Sequence, residues 1–305
     1  MTPPAAGARA GAPEEGRAPQ RRTGRPALRM LGRLLWKIAF IYGCVAGIIY
    51  VFQRRLQYMP DGSSVSAPGK GSPGAIEEVT LTSPDGLRLE AWYWAGTKPV
   101  TLYILHGNGG HRGYRLPWMQ KLHELGFSTF IIDYRSYGGS EGTPTEEGLY
   151  MDAEAGARWL REKKGGKVVY VGESLGSAVA VELAARIPPD ALIIQGGFAS
   201  AVDVARAVYF FLPVNLLMKD RYDAALRIGK VTCPMLFIHG DEDDIVPIRH
   251  GKALFEAAMR ANRPGGGSIE WYAVRGAGHN DVEETGGPEY YAKISEFLES
   301  CGLPR

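Results

Sequence analysis

Ser174, Asp243 and His279 stand in an order and a setting that suit nucleophilic acyl transfer. A serine hydroxyl is a poor nucleophile at neutral pH and needs a base beside it. The base in turn needs a carboxylate that fixes its tautomer and stabilises its charged form. Ser174 is the middle residue of Gly172-Glu173-Ser174-Leu175-Gly176. Residues 167–171 before it are mostly β-branched or aromatic, and residues 177–187 after it contain no Gly or Pro. The stretch reads as a buried strand, a tight turn and a helix. Such a turn forces the serine into strained dihedrals with its hydroxyl clear of the backbone. A Cβ at either flanking glycine would collide with the adjoining strand or helix. The first N–H groups of the helix then face whatever sits on the serine, which suits a developing negative charge. Gly138-Gly139-Ser140-Glu141-Gly142 fits the same pattern but runs into Thr143-Pro144-Thr145, where no helix can begin at once, and reads as a loop.

The partners fall after later strands. His279 lies in Gly276-Ala277-Gly278-His279-Asn280-Asp281, after the last expected strand. Asp243 lies in the run from His239 to Pro247, after the strand before it. Asp241 and Asp244 compete with Asp243 for the orienting role. The backbone N–H groups of Asn108, in His106-Gly107-Asn108-Gly109-Gly110, and of Leu175 are the expected oxyanion donors. Two other chemistries fit less well. The acidic run from Asp241 to Asp244 lacks the glycine and ligand spacing of a calcium loop, so no metal is expected. Gly107, Gly109 and Gly113 followed by Asp133 imitate a dinucleotide fingerprint with the spacing off by one, so no cofactor is expected.

These residues need a scaffold that brings several strand ends together. Residues 76–82 and 87–94 alternate apolar and polar around Ser83-Pro84-Asp85-Gly86 and predict a β-hairpin. Strands follow at 100–105, 127–133, 168–171, 191–195, 235–239 and 269–274. Helices are expected at 114–125, 145–163, 177–187, 249–261 and 289–299. The alternation predicts an α/β fold with a mostly parallel central sheet and helices on both faces. Active sites in such sheets lie beyond the carboxyl ends of the strands. The interval 196–233 is too long for one crossover helix. It is either an ordinary helix with a short companion, or a small helical cap over 197–233 whose apolar face lines an acyl pocket or touches lipid.

The net charge of +2 conceals an asymmetry: residues 1–37 hold eight basic and two acidic residues, and the rest hold 27 basic and 31 acidic. A mildly acidic bulk argues against nucleic-acid binding. Cys44, Cys233 and Cys301 have no spacing that suggests a disulfide framework or a zinc site. Residues 1–30, rich in Pro, Ala, Gly and Arg, read as a disordered basic tail. Residues 31–53 read as a transmembrane anchor: 38–52 carry no charge, and Lys37, Arg54 and Arg55 mark the borders. A signal peptide is the main rival, but no A-x-A cleavage site follows. The heavier positive charge before the segment predicts a cytoplasmic tail, with the catalytic domain on the opposite side. Residues 54–75 read as a Pro, Gly and Ser linker, and 76–305 as the catalytic domain.

The blocks LHGNGG, DYRSYGGSEGTPTEEGLYMDAEA, VGESLGSAVA, HGDEDDIVP and GAGHND resemble the α/β-hydrolase superfamily, and more narrowly its single-pass, membrane-anchored serine hydrolase branch. The order Ser174, Asp243, His279 is the one that fold uses. The resemblance covers residues 76–303, and the RRLQYMP stretch at 54–60 is also typical. It implies an α/β-hydrolase fold. Its HG-x-x-D-x-x-V-P spacing places the acid on Asp243. It also implies hydrolysis of acyl esters, thioesters or lysolipids, with lipids or lipidated proteins as partners. Members differ in the cap, so substrate choice is not inherited. A peptidase on the same fold and a non-catalytic membrane scaffold are the alternatives.

Overall fold

The computed structural model describes residues 1–2, 11, 25–69, 74–263 and 265–304, with residues 25 and 26 described for backbone alone. Residues 3–10 and 12–24 of the expected tail and 70–73 of the expected linker lie outside them. The chain divides into two compact units, Met1–Ile48 and Ile49–Arg305. Helix α1 (Arg25–Tyr58) begins in the first unit. Among the described residues it is the one helix long and apolar enough to cross a membrane by length and composition. Within that unit Leu34, Leu35, Ile38 and Ile41 are exposed, and Trp36 stacks on Phe40. The helix starts earlier than the expected boundary at 31, because Ala27, Leu28, Arg29 and Met30 are good helix formers that join the apolar run.

The second unit is built on an eight-stranded sheet. Its strands are β1 (Glu77–Thr82), β2 (Arg88–Trp94), β3 (Val100–Leu105), β4 (Ser128–Ile132), β5 (Lys167–Glu173), β6 (Ala191–Gln195), β7 (Met235–Gly240) and β8 (Ile269–Val274). They lie in the order β1-β2-β4-β3-β5-β6-β7-β8. The β1/β2 and β2/β4 pairs are antiparallel and every other pair is parallel. All six residues of β3 are buried. Tyr103 and Leu105 enter the core on one face and Leu102 and Ile104 the core on the other, as a strand covered on both sides requires. The covering helices are α2 (Leu116–Glu124), α3 (Glu146–Lys163), α4 (Leu175–Arg186), α8 (Ile248–Arg260) and α9 (Val282–Ser300). The chain leaves β3 to one side for β4 and then crosses to the other side for β5. That reversal opens a crevice beyond the carboxyl ends of β3 and β5.

Three regions differ in detail from the sequence reading. First, α9 was expected at 289 but begins at Val282, as two helical pieces joined at Gly287 (φ 49°, ψ −137°) before Pro288. Gly286-Gly287-Pro288 reads as a stop. The earlier turn forms because the Asp281 carboxylate accepts from the Gly278 N–H and the Thr285 hydroxyl. Second, the interval 196–233 holds three short helices, α5 (Ala201–Val208), α6 (Val214–Leu217) and α7 (Ala224–Arg227), and a 3-10 turn at Ile228–Lys230. Third, the expected linker over 54–75 is not a free tether where it is described. Helix α1 continues to Tyr58, which is fully buried. The Asp61 N–H then donates to the Gly110 carbonyl, and the Val65 carbonyl accepts from Arg112. Its Pro, Gly and Ser content is that of a flexible linker, but its backbone groups find long-range partners.

Candidate active site

Ser174 occupies the turn between β5 and α4 with φ 51° and ψ −116°, a region that costs a non-glycine residue about 1–3 kcal/mol. Packing on both sides holds it there. A Cβ on Gly172 would stand 2.5 Å from Ser177 Cα, and one on Gly176 would stand 1.9 Å from the Leu105 carbonyl oxygen. The Ser174 N–H is tied to the Gln195 carbonyl on β6. The other glycine-flanked serine, Ser140, lies in a loop, where its hydroxyl donates to the Asp133 carbonyl and accepts from the Glu90 N–H.

Three strand ends deliver the remaining groups. His279 follows β8, and its Nε2 lies 2.8 Å from Ser174 Oγ. Its Nδ1 lies 2.6 Å from Asp243 Oδ2. Asp243 follows β7, and its other oxygen accepts the N–H groups of Ile245 (3.0 Å) and Val246 (2.7 Å). His239 Nε2 stands 3.2 Å from Asp243 Oδ2 and 2.8 Å from the Val246 carbonyl. Burial by itself would raise the Asp243 carboxyl. The hydrogen bonds from His239 and His279 and the charge of His279 outweigh burial and hold it well below the usual carboxylate range. Asp241 and Asp244 do not join this chain: both are exposed, and Asp241 accepts the Gly276 N–H instead.

Asn108 follows β3 and lines the same cavity as Ser174 and Leu175. Leu175 is the first residue of α4, so its N–H has no acceptor within the helix. Gly107 lets the loop come close, since a Cβ there would stand 3.1 Å from Ser174 Cβ. Two sets of contacts hold the loop. Arg115 binds Glu173 through two nitrogens, at 2.9 and 3.0 Å, and also donates to the Gly109 carbonyl. Burial pushes the Glu173 carboxyl up, but Arg115 more than offsets it and keeps the group below its ordinary range. The second set comes from the end of α1: the Gln57 carbonyl accepts from Asn108 Nδ2, and the Tyr58 carbonyl accepts from the Gly109 N–H. His106 is fully buried. Burial, reinforced by the charge of Arg115, takes its imidazole down to about 3, so it is neutral at physiological pH.

A cavity of about 300 Å³ adjoins Ser174, at the lower end of the range for small-molecule sites. Its walls come from the last turns of α1 (Ile49, Tyr50, Leu56), from α5 and α6, and from Ile245 and Val246. None of its lining residues is charged. Among the described residues no group of three or more His, Cys, Asp and Glu could hold a metal ion. The structure therefore gathers Ser174, His279, Asp243, Asn108 and Leu175 at one crevice. Sequence reading missed Glu173, Arg115, His239 and the end of α1. An acid inside the serine turn was the one local signal for the Glu173–Arg115 pair. His239 could have been suspected from its place in the HGDEDDIVP block. Nothing in the composition of 49–58 signalled a cavity wall.

Comparison with known proteins places these observations. A family model described as alpha/beta hydrolase fold matches residues 100–228, and one described as prolyl oligopeptidase family matches residues 212–302. The uncharacterized protein Rv2307c of Mycobacterium tuberculosis is 37% identical over 268 residues, covering 86% of this chain and 92% of that protein. The lysophosphatidylserine lipase ABHD12 of Danio rerio is 33% identical over 223 residues, covering 63% of this chain and 58% of that protein. Among solved structures, the esterase Pf2001 of Pyrococcus furiosus superposes with a TM-score of 0.66 at 20% identity, covering 80% of this chain and 97% of that one.

Proposed function

We propose that this chain, which belongs to the alpha/beta hydrolase fold family, is a serine hydrolase of carboxylic esters or thioesters with apolar acyl groups. Ser174 Oγ attacks the carbonyl carbon while His279 Nε2 takes its proton. Asp243 holds the imidazole in the tautomer that can accept it. The N–H groups of Asn108 and Leu175 hold the oxyanion. His279 returns the proton to the departing alcohol or thiol, and water then releases the acyl group by the same route. No cofactor takes part. The observation that carries this reading is the hydrogen-bonded series Ser174–His279–Asp243, whose serine stands on the wall of a cavity lined by uncharged residues. The lipase named among the relatives also fits an acyl-lipid substrate. In the same reading α1 is a membrane anchor with its basic tail in the cytoplasm and the catalytic domain on the other side.

The test is Ser174→Ala in the full chain against a series of p-nitrophenyl esters of rising acyl length. Loss of turnover and of fluorophosphonate labelling is expected, and turnover equal to wild type refutes the assignment. The match of residues 212–302 to the prolyl oligopeptidase family favours a second reading, a serine peptidase on the same fold. The cavity argues against an aminopeptidase, because it offers no carboxylate to an α-ammonium group. Faster cleavage of aminoacyl anilides than of acyl esters would reverse that judgement.

A further inference from the structure

The stretch from the end of α5 through α6, residues 208–217, is apolar on two sides. Leu212 and Val214 are buried and line the cavity, whereas Phe210 and Leu216 turn outward, each 84% exposed. A face turned to water is normally polar, and large apolar side chains grouped on a short segment mark a contact surface. Two observations identify what this one touches.

The first is where the segment is fastened. Gln53 Nε2 donates to the Leu217 carbonyl, and Gln53 Oε1 accepts the Lys219 N–H. Arg54 binds Asp220 through two nitrogens, and the Lys219 ammonium lies 4.2 Å from the centre of the Tyr50 ring. These are the first residues after the uncharged run that ends at Phe52. Residues 34–52 form a helix of about 28 Å at 1.5 Å per residue, which matches the hydrocarbon thickness of a bilayer and puts Gln53 at its border. Leu216 is therefore held next to the border residue by its neighbour's backbone. An apolar side chain there lies within the roughly 5–10 Å over which interfacial segments bury themselves. The second observation is charge. Arg54 and Arg55 directly follow the uncharged run, and Lys219 lies over the Tyr50 ring, so cationic side chains stand at the border where lipid phosphates would lie.

We propose that residues 208–217 form a second membrane contact. In it Phe210 and Leu216 enter the leaflet at which the anchor ends, and the cavity takes its acyl chain directly from that leaflet. The cavity walls agree with such a path, since Ile49 and Tyr50 stand on them together with Val208 and Leu217. The second half of the proposal rests on the hydrolase reading and deepens it: the substrate is an acyl chain already resident in the membrane.

The test uses the full chain in phosphatidylcholine–phosphatidylserine vesicles. An environment-sensitive fluorophore is placed on Phe210→Cys in a Cys44→Ser, Cys301→Ser background. Cys233 is buried, with its thiol pushed up to about 12, and does not label. A blue shift and quenching by lipid-borne nitroxide are expected at position 210 and not at Glu162→Cys, near the opposite rim of the sheet. Identical spectra at the two positions overturn the contact. The Phe210→Ser, Leu216→Ser double variant is then compared with wild type on two esters. It is expected to keep its rate on soluble p-nitrophenyl butyrate and to lose about tenfold on 4-methylumbelliferyl palmitate dissolved in the vesicles. Equal loss on both, or loss on neither, overturns delivery from the membrane. If wild type hydrolyses neither ester, the hydrolase reading fails, while the fluorophore still decides the contact.

Discussion

Replacing Asp243 by Asn tests the proposed chemistry with almost no change of shape. One carboxylate oxygen accepts two backbone N–H groups, from Ile245 and Val246. The other faces His279 Nδ1 at 2.6 Å and His239 Nε2 at 3.2 Å. An asparagine must place its carbonyl oxygen toward the two backbone donors, so its NH₂ group turns toward the histidines. His279 Nδ1 then has to accept, which moves the ring proton to Nε2, and Nε2 can no longer take the proton of Ser174. The fold is kept, because both backbone bonds to residue 243 survive. Where this tautomer change has been isolated in another serine hydrolase, kcat fell about 10⁴-fold, equivalent to about 5 kcal/mol of barrier. A loss of about 10³ to 10⁴ in kcat/KM for p-nitrophenyl butyrate is therefore expected, with the melting temperature within a few degrees of wild type. Asp241→Asn and Asp244→Asn should keep most of the activity. In wild type the carboxyl of Asp243 is held so low that it stays ionised throughout the assay range. Its titration should accordingly add no second step to the acid limb of log kcat/KM. An Asp243→Asn enzyme within tenfold of wild type would refute the reasoning.

Three further outcomes follow from packing and charge. Gly176→Ala sets a methyl 1.9 Å from the Leu105 carbonyl oxygen, in backbone that cannot yield, and should cost about 3 kcal/mol or more or prevent folding, as read by thermal melting. Arg54→Ala strips the buried Asp220 carboxylate of its ion pair. Arg54 is itself 40% exposed, so the loss should be about 1–2 kcal/mol, measured by chemical denaturation of the full chain in detergent. His106 titrates at about 3 in the folded chain and near 6.5 when unfolded. The unfolded chain binds the proton first, so stability is full above about 6.5 and falls as pH drops toward 3, by something on the order of 4 kcal/mol. His106→Asn should flatten that part of the stability–pH curve, and an unchanged curve would show that another group controls it.

What the sequence disclosed depended on the range of the interaction. The strands at 100–105 and 191–195 were legible to the residue, because burial on both faces writes itself as a nearly continuous apolar run; the edge strand at 269–274 is only partly buried and was legible from its β-branched and aromatic residues. The serine turn was legible because two glycines and a helix start are local requirements. The helical piece before Pro288 was not, since Gly286-Gly287-Pro288 carries the strongest local stop signal in that region and the support from Asp281 is a side-chain bond. The Glu173–Arg115 pair spans 58 residues and the Arg54–Asp220 pair 166, and no local pattern marks either partner.

The end of α1 is the strongest case of that blindness, and it alters how the proposed anchor should be regarded. Composition makes residues 54–75 a tether whose length and sequence hardly matter. In the structure the Tyr58 side chain is fully buried, with its hydroxyl 2.9 Å from that of Tyr222. Its carbonyl receives both the Gly109 N–H and the Tyr137 hydroxyl, and the Gln57 carbonyl receives Asn108 Nδ2. Three elements remote in sequence thus converge on two residues: the loop after β3, the loop after β4 and the segment before α7. A loop proposed to offer an N–H to an oxyanion must be held to within a fraction of an ångström, and here one of its two sets of contacts comes from the end of α1. Cutting the chain at residue 58 to make a soluble enzyme would therefore remove part of the proposed site, whereas a cut at 48 leaves every one of these contacts in place.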